Sequence, residues 1–238
     1  MTHPLIEVCV DNAEGLAAAV AGGADRIELC AALSVGGLTP SPGLMALAAR
    51  ATVPVLAMIR PREGDFVYSS AEISQMVADI VAVRHAGLAG VVFGANRADA
   101  TLDVTVLREL IAASKGLDMA LHRAFDLAPD PDAALETAIS LGIPRVLTSG
   151  GARTAVAGRA NLERLFKLAG SRVTIMPGSG ITAETVTELR GLPLREVHAS
   201  CAAERGVLPA MVAFGFAGAT TRQTDPDRVR ALRQALSD

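Results

Sequence analysis

The chain has 238 residues, 50% of them hydrophobic and 20% charged, with a net charge of −3. That length and apolar content suffice for one domain with a large core, and the lack of a basic block excludes a nucleic-acid or anionic-membrane footprint. No run approaches the ~20 apolar residues of a membrane span, Glu7 and Asp11 interrupt any signal-like start, and three cysteines make an odd set for a disulfide framework, so a reduced, cytoplasmic protein is expected.

The first strand-like run starts at Leu5 and carries the word Ile6-Glu7-Val8-Cys9, which returns 21 residues later as Ile27-Glu28-Leu29-Cys30 in a second run from Arg26. Side chains alternate along a strand, so the aliphatic residues share one face, suited to packing under helices, while the carboxylates and thiols share the other. Further runs start at Val53, Gly90, Asp118, Arg145, Arg172 and Glu196. Ala- and Leu-rich segments with helical start signals follow them: Ser70, the Pro129-Asp130-Pro131 turn, and Thr182. The last run leads instead into a looser tail, 202–238, expected to act as a cap. Eight strand-helix units without a linker predict an α/β protein, a single (β/α)8 TIM barrel over residues 1–238. A doubly wound open sheet is the alternative, but EVCVDNAEG after the first strand lacks the Gly-rich nucleotide fingerprint.

Active groups of such barrels sit at the carboxyl ends of the strands. Polar residues collect there: Cys9, Cys30, Arg60, His122, Arg123, Asp126, Ser149, Gly178 to Gly180 and His198, on strands otherwise built of Val, Leu, Ile, Ala and Met. Read in order from about residue 5 to 201, the segments EVCVDNAEGLAAAVAGGADRIELCAALSVGGLTPS, VLAMIRPREGDFVYS, GVVFGA, LHRAFD, RVLTSGG, IMPGSGI and EVHASC resemble the successive motifs of the CutC family of copper homeostasis proteins. The resemblance implies a TIM barrel, a cytoplasmic homo-oligomer (dimer or tetramer), and a Cu(I) site at Cys9 and Cys30. It supplies no reaction.

The residues themselves support three readings. Cys9 and Cys30 end equivalent words on adjacent strands ~4.8 Å apart, so their sulfurs could converge as soft ligands for Cu(I); the same thiols also suit plain packing. Glu7 and Glu28, one layer deeper, need cations, and Arg60, Arg123, His122 and His198 are nearest by strand logic. That set is either a structural network or an acid/base constellation of Arg60, His122, Glu7, Glu28 and His198. Finally, the turns holding Ser149 and Gly150 and holding Gly178, Ser179 and Gly180 are composed to present N–H groups to an anion, which points to an enzyme acting on a small phosphorylated metabolite. A Cu(II) chelate at Met1-Thr2-His3 is set aside, because removal of Met1 would destroy its spacing. The uncharged stretch 206–221 reads as an interface or a cap over a pocket. The ligands expected are therefore a copper ion or a small anion, with no nucleic acid, membrane or organic cofactor.

Overall fold

The computed structural model describes residues 3–237, which leaves Met1 and Thr2 of the discounted terminal chelate outside the described residues. Eight parallel strands, β1 (Leu5–Val10), β2 (Arg26–Leu29), β3 (Val55–Met58), β4 (Gly90–Phe93), β5 (Asp118–Leu121), β6 (Arg145–Thr148), β7 (Thr174–Pro177) and β8 (Glu196–Ala199), form one sheet in the order β7-β6-β5-β4-β3-β2-β1-β8. β7 and β8 lie side by side and bring the sheet round to a nearly closed (β/α)8 barrel. Every strand begins within two residues of its expected start. Val53-Pro54 precedes β3 rather than opening it, although Pro54 still offers its carbonyl to the Ile27 N–H at 3.0 Å.

The helices are α1 (Ala13–Gly22), α2 (Pro42–Ala48), α3 (Ser70–Ala86), α4 (Val104–Ala113), α5 (Pro131–Ser140) and α6 (Arg159–Ala169). Short polar side chains begin all of them but α6, which starts from Gly158, by taking orphan N–H groups: Asn12 accepts from Gly15, Asp103 from Thr105 and Val106, and Asp130 from Asp132 and Ala133. For α3 the cap is Ser69 rather than Ser70, in a reciprocal capping box with Glu72. Ser69→Ala should lower stability by about 1 kcal/mol in chemical denaturation.

Two expectations are corrected beyond β7. No α-helix starts at Thr182; the Thr182 hydroxyl instead accepts the Thr185 N–H, and only a 3-10 turn, Thr185–Leu189, follows. Nor is the tail loose. It folds as an antiparallel hairpin of β9 (Ala202–Gly206) and β10 (Thr220–Thr224) around the short α7 (Pro209–Ala213), then as α8 (Pro226–Ser237), which packs on α1 and on the 185–189 turn. α8 thus lies between the 185–189 turn and α1, as the helix that follows β8, sealed by fully buried Val229 and Leu232. Residues 206–221 form the hairpin's tip, with Leu208, Phe214 and Phe216 exposed rather than covering the cavity described below.

The parity argument holds throughout the first two strands. Ile6, Val8, Ile27 and Leu29 pack outward in the large core beneath the helices, while Cys30, Leu56, Met58, Val92 and Ala120 fill a smaller cluster inside the barrel. Apart from Leu147 and Met176, the remaining interior of the strands is largely polar, which is where the barrel departs from an ordinary packed layer structure.

Candidate functional site

The floor of the interior is ionic. Arg26 at the start of β2 donates through Nε to Glu7 Oε2 and through Nη2 to Glu196 Oε2, each at 2.5 Å. Arg145 on β6 reaches the same Glu196 oxygen at 2.5 Å and Asp118 Oδ2 at 3.2 Å. Sequence reasoning missed Arg26 and Arg145. The available signal was Arg26's parity: two residues before Glu28, it must share Glu28's inward face. Buried charges are tolerated here because each meets an opposite one with directed hydrogen bonds.

One step above, Glu7 Oε1 lies 2.8 Å from His198 Nδ1, so Glu7 bridges Arg26 and His198. His198 Nε2 is 3.7 Å from Glu28 Oε2, to which the Cys30 thiol also donates at 3.5 Å. Cys9 Sγ, a Glu28 carboxylate oxygen and a His198 ring nitrogen all lie within 4.8 Å of one another. Cys30 is not part of that cluster. The reason is register: Cys9 pairs across the strands with Glu28, and Glu7 with Arg26, so the two Glu-x-Cys words are offset by two residues and Cys30 stands beyond Cys9's level. A closed barrel requires such a stagger between strands.

Environment separates the protonation states. Burial would raise the Glu7 carboxyl, but the His198 hydrogen bond and the Arg26 charge outweigh it and bring it to about 2. For Glu28 burial dominates and raises it, with His198 opposing and Glu7 reinforcing. Burial disfavours the His198 cation, yet the surrounding Glu28, Cys9 and Glu7 hold its pKa well above the usual value. Cys30 is pushed well up by burial and by neighbouring Glu28 and Cys9, and burial takes Cys201 to about 12.

The expected partnership of Arg60, His122 and Arg123 with the two glutamates is not what forms. Arg60 donates through Nη1 to the carbonyls of Val35 and Gly37 and through Nη2 to that of Gly64, joining the loops after β2 and β3. His122 takes the Ala124 N–H on Nδ1, and its ring packs against Phe66 with centroids 4.8 Å apart. A Cβ on Gly94 would stand 2.5 Å from His122 Cε1, so the chain just past β4 makes room for this ring by having no side chain there. Burial first, then the Arg60 charge, lowers His122 to about 3 and keeps it neutral. Arg123 pairs with Asp126 at 2.7 Å.

The two small-residue turns differ from expectation as well. After β6, the Asp126 carboxylate accepts the N–H groups of Ser149 and Gly151 and the hydroxyls of Thr148 and Ser149. Gly150 N–H goes to Thr148 Oγ1 and Gly178 N–H to the Thr148 carbonyl. At the 148–151 turn, then, a carboxylate of the protein itself takes the N–H groups expected to face an external anion. Gly178 also has a packing role, since a Cβ there would come within 2.5 Å of Leu147. Ser179 and Gly180 adopt left-handed backbone, with φ of 74° and 75°, and line the cavity rim.

That cavity, of about 750 Å³, opens at the carboxyl ends of the strands and is lined by Cys9, Glu28, Arg60, Phe66, His122 and His198 among others. Three of its lining residues carry buried polar atoms with no partner: Glu28 Oε1, Arg60 Nε and His122 Nε2. Such atoms are rare in folded proteins and mark places completed by something else.

Fold and site together define a (β/α)8-barrel protein with a polar-lined cavity at the carboxyl-terminal face of the barrel. The CutC family model matches residues 4–203, and the chain belongs to the CutC family. The family protein CutC of Rhizobium meliloti (strain 1021) is 55% identical over 99% of this chain and 97% of its own, and that of Caulobacter vibrioides (strain NA1000 / CB15N) 49% over 98% and 96%. Among solved structures, the CutC of Streptococcus agalactiae, named a copper homeostasis protein, has a TM-score of 0.79 at 30% identity, covering 83% of this chain and 98% of its own. A deoxyribose-phosphate aldolase from Coccidioides immitis, at 15% identity and a TM-score of 0.60 over 83% of this chain and 81% of its own, shares the fold alone. Among the described residues no helix is long and apolar enough to cross a membrane.

Proposed function

We propose that the chain serves copper homeostasis as a cytoplasmic, homo-oligomeric Cu(I)-binding barrel, with copper as its cargo. The observation that carries this reading is the convergence of Cys9 Sγ and a His198 ring nitrogen beside Glu28. Thiolate and imidazole are donors Cu(I) accepts, and the second thiol, Cys30, is one hydrogen bond away through Glu28. Glu28 is a hard oxygen donor that Cu(I) does not seek, so its place in the set is electrostatic: it offsets the charge of the ion and holds the Cys30 thiol. Protons and metal compete for Cys9 and His198, so affinity falls as pH is lowered.

Anaerobic Cu(I) titration against a chromophoric chelator tests the assignment. Cys9→Ser and His198→Gln should each weaken binding by about 100-fold, and Cys30→Ser by about tenfold, because the offset register leaves Cys30 outside the close cluster. Unchanged affinity in Cys9→Ser would remove the site. A second reading, an enzyme acting on a small anionic metabolite, is favoured by His198 held between Glu7 and Glu28 at the floor of a cavity of small-molecule size, an arrangement suited to proton transfer.

A further inference from the structure

Arg60 and His122 occupy one wall of the cavity in a state the fold does not complete. Both are buried, at 5% and 3% exposure. The other buried arginines, Arg26 and Arg145, each meet two carboxylates, whereas Arg60 forms no ion pair among the described residues. Its Nη groups hold backbone carbonyls, which accounts for a role in clamping loops but leaves Nε–H without an acceptor and the cation without a counter-charge. On His122, Nδ1 is an acceptor for the Ala124 N–H, so the ring proton resides on Nε2, and that donor too has no partner. Loop clamping explains neither orphan. Two unmet donors and an uncompensated cation, side by side, call for an anion.

One ring touches both side chains. Phe66 packs on His122 with centroids 4.8 Å apart and under the Arg60 guanidinium at 4.9 Å, and it lines the cavity. It is only half-buried, in an otherwise exposed loop, so it can give way where the barrel strands cannot. The cavity volume of about 750 Å³ is that of a small-molecule site. We propose that Arg60 and His122 form the seat for the anionic group, carboxylate or phosphate, of a small organic acid that enters the cavity and displaces the Phe66 ring. This deepens the second reading above, in which the cavity takes a small anionic metabolite, but it concerns binding alone and not copper or turnover.

Calorimetric titration of the chelator-stripped protein tests it, with pyruvate as the carboxylate probe and glycerol 3-phosphate as the phosphate probe. At least one should bind saturably to the wild type, and which one does identifies the anion. Its affinity should fall about tenfold or more in Arg60→Gln and in His122→Phe, since each removes a hydrogen bond to a charged group. Phe66→Ala should strengthen it, because no ring has to move. Arg222→Gln, at an exposed arginine on the rim, should leave it unchanged. If Arg60→Gln fails to fold, His122→Phe, which keeps the ring's volume, decides. Failure of both probes to bind the wild type, affinity retained in His122→Phe, weaker binding in Phe66→Ala, or binding lost in Arg222→Gln would each overturn the proposal.

Discussion

Glu7→Gln should destabilise the barrel by about 3–5 kcal/mol, the cost of breaking a buried ion pair from one side. The substitution keeps the shape of the side chain but leaves Arg26 with Glu196 alone and removes the carboxylate that holds His198 Nδ1. Glu28→Gln should cost distinctly less. Its carboxyl is already raised by burial, one oxygen has no partner, and His198 stands 3.7 Å from the other. Urea midpoints of the two variants make the comparison, and equal losses would mean that the two glutamates are equivalent, contrary to the floor described above.

Between about pH 6 and about pH 4.5 the wild type should lose about 2 kcal/mol of stability through His122. A histidine lowered from 6.5 to about 3 is neutral when folded, while the unfolded chain gains the proton as pH drops through 6.5, so acid favours unfolding until the folded value is reached. His198 acts in the opposite sense. Raised well above 6.5, it contributes stability that is complete below that value and is lost only as pH rises through its folded pKa, so it changes little in this window. Glu7, lowered from 4.5 to about 2, contributes stability that is present above 4.5 and is lost as pH falls further toward 2. The two acid effects are therefore separable. His122→Phe should flatten the upper part of the profile and leave the lower part, and an unchanged slope between pH 6 and 4.5 would show that the buried ring is not its source.

Much of the architecture is local and was therefore legible. The alternation in Ile6-Glu7-Val8-Cys9 and Ile27-Glu28-Leu29-Cys30 assigns inward and outward faces whatever the strands pair with, because parity is a property of the extended chain itself. Capping by Asp130 ahead of Pro131 is equally local, since an Asx side chain reaches N–H groups only two or three residues on. The helix expected at Thr182 did not form: the Thr182 hydroxyl takes the Thr185 N–H, the chain continues only as the 3-10 turn 185–189, and α8 packs against that turn.

Which polar residues belong near the carboxyl ends of the strands was set by the sequence, and so was the pairing of carboxylates and thiols on one face. The partnerships were not. The two-residue offset that puts Cys9 level with Glu28, the choice of Arg26 and His198 over Arg60 and His122 as partners of Glu7, and the capture of the 148–151 turn by Asp126 all join residues far apart in the chain. Strand stagger follows from closing eight tilted strands into a ring, a condition on the whole sheet that no single strand encodes. Only after closure do the long side chains find which opposite charge lies within hydrogen-bond reach, and it is this distance, set by the ring as a whole, that decides the site.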